Sequence, residues 1–232
     1  MISSTDLLPI LYKDHEQQLQ GLMTPNYQSS LPGVLILPAW MGIDREAIAA
    51  ASDLRSHGYI ALIADIYGKD QQPKSTEEAA VVSKAFKENY EHYQHRISLA
   101  LLEFKRVGVS ADQVVVMGYC FGGTGALEAV RGQLKIQAAI CIHGSLYKSP
   151  SRNTVISNSK VLIEHAADDQ FVSQKDVENL ILEMKESQAD WQLITYGNAK
   201  HTFTNPWSED YNQVMANRAW KHTLQFLEEV LK

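Results

Sequence analysis

The sequence predicts an α/β architecture: a mostly parallel central sheet with helices on both faces. Two observations carry this. Six short runs are almost continuously apolar, as strands covered on both faces of a parallel sheet must be, and amphipathic helical patterns lie among them. A third observation sets the organisation. No repeat, low-complexity tract or Pro/Gly/Ser-rich linker divides the 232 residues, so residues 1–232 are expected to form a single domain.

Taken in order, "PILYKD" and "QQLQGLMTP" read as an antiparallel pair of edge strands. The buried strands follow: "GVLILPA" (33–39), "YIALIADI" (59–66), "VVVMG" (114–118), "IQAAICIHG" (136–144), "KVLIEHA" (160–166) and "WQLITYG" (191–197). "STEE", Ser75 to Glu78, has the spacing of a capping box that opens a helix, and a second helical pattern runs from about Tyr90 to Val107. Ser173 can cap a helix whose Val177, Leu180, Ile181 and Met184 share one face. The chain closes on a long helix in which Val214, Trp220, Leu224, Leu227 and Leu231 are expected to face inward.

Composition removes several function classes. At 45% hydrophobic and 21% charged residues the chain is ordinary globular protein, and no stretch reaches the ~18 consecutive apolar residues of a membrane span. The segment "MISSTDLLPILYKDHEQQ" has neither a basic start nor a long apolar stretch, so no signal peptide and a cytoplasmic location are expected. A net charge of −6, with basic residues scattered, argues against nucleic-acid or membrane-surface partners. Two cysteines, Cys120 and Cys141, build neither a disulfide framework nor a zinc site. "GYCFGGTG" lacks the lysine of a phosphate loop and the spacing of a dinucleotide fingerprint, so no cofactor is expected.

The chemistry concentrates where strands end, which is where ligands bind in open α/β sheets. Gly118-Tyr119-Cys120-Phe121-Gly122 fits G-x-C-x-G, a strand-turn-helix elbow that lifts a nucleophile above the sheet edge at a helix N-terminus. The bare pattern arises by chance in on the order of one such chain in ten at average glycine content. Its context here, four apolar strand residues before and Gly123, Gly125 and Ala126 after, makes it informative. Asp168 and Asp169 follow the run 160–166, and His201 follows the run 191–197. The order nucleophile, acid, histidine is the one such an elbow requires. The plain alternatives are a buried inert thiol, helix-capping aspartates and a solvated loop histidine. His143 and His165, at or near strand ends, are expected to be hydrogen-bonded structural residues, and Cys141 a core residue. A metal site from His165, Asp168, Asp169 and His201 has no tight ligand spacing behind it.

With "LPAWMGID", "IADIYG", "GYCFGG", "HAADDQFVS" and "KHTFTNP" in place, the chain resembles the dienelactone hydrolase family from about Pro9 to Leu231. That family is the cysteine-nucleophile branch of the α/β-hydrolase fold. The resemblance implies a triad of Cys120, Asp169 and His201, with Asp169 chosen over Asp168 because it precedes the step Gln170-Phe171-Val172. It implies oxyanion donors at the backbone N–H groups of Phe121 and Trp40, and a small ester or lactone as substrate. Two departures stand out: Ala39 where the family has a glutamate that helps form the thiolate, and Asn205 where it has a carboxylate-binding arginine. They argue against dienelactone itself as the substrate. An apolar pocket of Met41, Tyr67, Tyr147, Phe203 and Trp207 is expected instead. The competing readings are a catalytically weak member that binds small molecules or serves as a redox-responsive thiol, and acyl transfer to an acceptor other than water.

Overall fold

Residues 7–25 and 31–232 are described by the computed structural model; the first six residues of the segment read for a leader lie outside them. An antiparallel hairpin, β1 (Leu8–Asp14) and β2 (Gln17–Met23), begins the sheet. Then come β3 (Gly33–Leu37), β4 (Ile60–Ile63), β5 (Val114–Tyr119), β6 (Ala138–Ile142), β7 (Lys160–Ala166) and β8 (Trp191–Tyr196). The eight strands join one sheet in the order β1-β2-β4-β3-β5-β6-β7-β8, and β3 to β8 are mutually parallel. Every residue of β3, β4, β5 and β6 is buried, which is why those runs carry no polar alternation. This is the mostly parallel α/β sheet with helices on both faces that the sequence predicts.

Six α-helices cover the sheet: α1 (Arg45–Ser56), α2 (Thr76–Glu88), α3 (Tyr90–Arg106), α4 (Phe121–Arg131), α5 (Gln174–Glu186) and α6 (Gln213–Leu231). One apolar core joins α3, α4 and α5 to one face of the sheet, and a second joins α1 and α6 to the other. Among the described residues no helix is long and apolar enough to cross a membrane.

The local signals work as their chemistry demands, with two differences. Ser75 caps α2 by accepting from the Glu78 N–H, but Glu78 returns its carboxylate to the Lys74 N–H, not to Ser75, so the capping box is not closed. Ser173 and Asp176 do close one at α5. In α6 the buried stripe is Ala216, Ala219, Thr223, Phe226, Leu227 and Val230, while Val214 points to solvent at 56% exposure. Val214 lies in the first turn of α6.

The connection order places the site. From β3 the chain steps to β4 on one side, then crosses through α2 and α3 to β5 on the other side. This reversal opens a crevice at the carboxyl ends of β3 and β5. The β3 end leads into residues 38–42, and the β5 end leads into Cys120 and α4. At this crossing the backbones touch: a Cβ on Gly122 would lie 2.0 Å from the Leu37 carbonyl oxygen, and one on Gly118 would lie 2.2 Å from the Gly122 oxygen. Both partners are backbone, so neither can yield.

Gly122→Ala is therefore expected to cost about 3 kcal/mol or more, at or beyond the top of the usual overpacking range. Gly197→Ala, with open space around the added methyl, should stay within about 0.5 kcal/mol of wild type. Urea denaturation of both variants checks this, and similar stabilities would remove the close-crossing argument.

Candidate active site

Cys120 is the N-cap of α4 and adopts φ 52° and ψ −111°, a left-handed backbone that a non-glycine residue holds only under tertiary constraint. Its N–H is shared between the Ile142 carbonyl at 3.0 Å and His143 Nδ1 at 3.1 Å, which ties the elbow to the end of β6. Its side chain is half-buried, and Sγ lies 3.1 Å from His201 Nε2. His201 Nδ1 in turn lies 2.8 Å from Asp169 Oδ2. Asp169 Oδ1 accepts from the Phe171 N–H at 2.9 Å, which locks the carboxylate. The tertiary structure thus joins residues 81 and 32 positions apart into one hydrogen-bonded chain. Asp168 stands apart from it, exposed, with its N–H on the Ala199 carbonyl.

Electrostatics follow from burial against pairing. Burial alone would lower the His201 pKa, but the hydrogen bonds and charges of Asp169 and Cys120 outweigh it and raise the value to about 10. Burial pushes Asp169 upward, yet the His201 hydrogen bond and charge and the Phe171 N–H hold it below the ordinary carboxylate range. His201 accordingly carries a proton at neutral pH between two acidic partners. Cys141 is different: fully enclosed, its thiol is pushed up to about 12 by burial, which leaves it a core residue.

The two amides expected to bind an oxyanion both lack acceptors among the described residues. Phe121 N–H starts α4, and Trp40 N–H sits in the loop after β3. The Phe121 ring lies between Tyr93 (centroids 4.6 Å apart) and Tyr67 (5.6 Å). Tyr93 Oη donates to the Phe121 carbonyl, and Tyr67 Oη donates to the Trp40 carbonyl at 2.8 Å. Two buried tyrosines therefore brace both donor segments. Among the described residues no group of three or more His, Cys, Asp or Glu side chains is placed to hold a metal ion.

A family model described as "Dienelactone hydrolase family" matches residues 20–231. The chain belongs to the dienelactone hydrolase family. It is 27% identical over 223 residues to a Bradyrhizobium protein named "Probable 2-oxo-3-(5-oxofuran-2-ylidene)propanoate lactonase", covering 91% of this chain and 89% of that one. It is 22% identical over 162 residues to a human carboxymethylenebutenolidase homolog, covering 69% of this chain and 65% of that one. Among solved structures, a dienelactone hydrolase-like promiscuous phosphotriesterase from metagenomic libraries superposes with a TM-score of 0.90 at 26% identity, over 97% of this chain and 98% of that one. Family membership makes this chain one of a family of hydrolases.

The expected apolar pocket is corrected by the structure. Phe203 is fully buried in a small core with Ala166, Tyr196, Ala199 and Ala219, and Tyr67 is buried behind Phe121. Trp207 lines a separate cavity of about 230 Å³ with Glu46, Thr204 and Trp220. Met41 is partly exposed and lines neither that cavity nor the larger one. Only Tyr147 lines the larger cavity, about 740 Å³, where Lys87, Gln94, Thr124 and Arg152 stand beside Tyr90 and Tyr93 in walls of mixed polarity. Thr124 is four residues past Cys120, so this cavity adjoins the elbow helix.

The sequence singles out Phe171 only as part of the step after Asp169; the structure sets its exposed ring edge-on to His201 at 4.9 Å. Sequence reasoning passed over Glu46 and Thr204, which carry no motif. Glu46 is buried in the first turn of α1, and burial, with Asp44 adding to it, raises its pKa to about 8 against the opposing Thr204 hydrogen bond. At the two departures from the family, Ala39 accepts from the Gly42 N–H, and Asn205 Oδ1 accepts from the Trp207 N–H.

His201 has a folded pKa near 10 against about 6.5 unfolded. Its protonated form thus stabilises the fold fully below about pH 6.5, and that contribution is lost as the pH rises through about 10. The stability lost in His201→Gln, from urea titrations, is therefore expected to be larger at pH 6 than at pH 10. An equal or reversed difference would contradict the assigned charge state.

Proposed function

We propose that this protein hydrolyses small carboxylic esters or lactones through a thioester formed on Cys120. The observation that carries the reading is the hydrogen-bonded chain from Cys120 Sγ through His201 to Asp169, beginning at a residue held left-handed at a helix N-terminus. In this reading the thiol proton rests on His201, and the sulfur attacks the substrate carbonyl carbon. The C–S bond forms, the carbonyl oxygen gathers negative charge, and the N–H groups of Phe121 and Trp40 receive it. As the ester C–O bond breaks, His201 Nε2 passes its proton to the departing alkoxide. Neutral His201 then takes a proton from water, the hydroxide adds to the thioester, and the C–S bond breaks. The acid leaves, and the sulfur and imidazolium are restored. Asp169 keeps the imidazole in the Nδ1–H tautomer and balances its charge at both stages.

The proton on His201 supplies an activation route that does not need the family glutamate missing at Ala39. Asn205 offers no charge-assisted grip on a substrate carboxylate, which favours neutral esters and lactones over dienelactone. The cavity of mixed polarity beside α4 can take a substrate portion that carries both apolar and hydroxyl or amide groups. Likeness to a promiscuous phosphotriesterase places a phosphotriester in the substrate panel as a second electrophile for the same sulfur.

Turnover of short aryl esters, lactones and an aryl phosphotriester tests the reading. Cys120→Ala is expected to abolish activity, and mass spectrometry of quenched wild type should show one acyl group on Cys120. Rapid alkylation of Cys120 with no turnover of any substrate would instead establish a binding or redox thiol.

Asp169→Asn should lower kcat by on the order of 10⁴-fold, as loss of the orienting acid does in such triads, and Asp168→Asn by less than about twofold; the reverse order would sink the choice of acid. Tyr67→Phe, which frees the Trp40 carbonyl, should lower kcat about 10-fold, less than the full loss of an oxyanion donor, with KM within about twofold. A change confined to KM would place Tyr67 in substrate binding.

A further inference from the structure

Behind Cys120 lies a second polar chain that the proposed acyl transfer does not use. His143 follows β6 with φ 38°, buried, its ring between the elbow and the loop that carries His201. The directions of its hydrogen bonds are determined by elimination. The Cys120 N–H can only donate, so His143 Nδ1 accepts at 3.1 Å and the ring proton sits on Nε2. Nε2–H then donates to Thr204 Oγ1 at 2.8 Å, and the Thr204 hydroxyl donates to Glu46 Oε1 at 2.6 Å. Each link pairs a donor with an acceptor, and the Cys120 N–H is shared with the Ile142 carbonyl.

Three features separate this chain from incidental core polarity. Burying an acid, a hydroxyl and an imidazole together costs several kcal/mol unless each is paired; here each is paired, and the pairing ends on the backbone of the proposed nucleophile. The chain also connects four segments around the site: α1 beyond the Trp40 loop, the elbow after β5, the end of β6 and the loop after β8. Thr204 is three residues past His201, and the His143 and His201 rings pack edge to face with centroids 5.3 Å apart.

We propose that His143, Thr204 and Glu46 are positioning residues for the reaction at Cys120: their hydrogen bonds hold the Cys120 amide in the elbow and set the approach of Sγ to His201. This rests on the reading of Cys120 as the nucleophile. None of the three touches the reacting atoms. A neutral acid with its proton on Oε2 serves Glu46's part as well as a carboxylate, because Oε1 then still accepts. A neutral His143 is required, since a proton on Nδ1 would leave the Cys120 N–H with the Ile142 carbonyl as acceptor and break its link to the chain. Burial and the nearby His201 charge lower its pKa to about 3.

The test measures two quantities on each variant at pH 7: the rate of Cys120 alkylation by iodoacetamide, with Cys120→Ala as background, and kcat and KM for an aryl acetate. Thr204→Val keeps the side-chain volume and removes the donor. It is expected to slow alkylation and kcat about 10-fold, the scale of a sub-ångström misplacement, with KM within about twofold. Thr204→Ser should restore both rates to within about twofold of wild type. If Thr204→Val fails to fold, Glu46→Leu against Glu46→Gln asks the same question, because glutamine retains the acceptor and leucine does not. Wild-type rates in Thr204→Val or Glu46→Leu overturn the proposal. So does equal impairment within either pair, which would show that packing and not hydrogen bonding matters. Should wild type alkylate but turn over no ester, the hydrolase reading falls alone, and the alkylation ratios still decide the positioning role.

Discussion

The rest of the site depends on the crossing of α4 over the ends of β3 and β5, where backbone meets backbone with no side chain between. Gly118 and Gly122 permit it, because any Cβ at either position would occupy space already filled by a carbonyl. That contact forces the turn between them to be so tight that Cys120 takes a left-handed backbone. In return Sγ is lifted clear of the strand, and the N-terminus of α4 lies directly under it. Strain of this kind costs of order 1–3 kcal/mol and persists only when the surroundings over-determine it. Here the surroundings are the two apolar cores that press helices onto both faces of the sheet.

Polar groups then convert a strained turn into an ordered site. Asp169 and His201 reach Cys120 from the β7 and β8 ends, and His143 reaches its amide from β6. On the β3 side Tyr67 holds the Trp40 carbonyl, while Tyr93 holds the Phe121 carbonyl from α3. Each strand contributes little more than a loop end. Registry of the parallel sheet sets the spacing among those ends, so the site is as rigid as the sheet that carries it.

Much of this was legible beforehand because it follows from local rules. Continuous apolar runs mark strands buried on both faces, and their order with the helices gave a mostly parallel sheet. The elbow motif was legible too, since glycine two residues on either side of a cysteine states a steric demand. What escaped notice has physical reasons. The buried face of α1 is mostly alanine, so its pattern is faint. Phe203 and Tyr67 read as pocket aromatics, yet lie in cores, because an aromatic ring serves either environment and its sequence neighbours do not say which. Glu46 and Thr204 sit 158 residues apart and belong to no motif; only the folded chain makes them partners.

By itself the sequence determined the sheet, the elbow and the order of acid and histidine along the chain, since those depend on patterns within a few residues or on succession. Tertiary structure decided which aspartate meets His201, which rings face the cavity, and that the wall beside α4 is of mixed polarity. It also decided which buried polar groups stand behind Cys120. The reason is the same in each case. Hydrogen bonds between distant loops depend on distances of tenths of an ångström, and those are set by helix-on-sheet packing summed over the whole molecule.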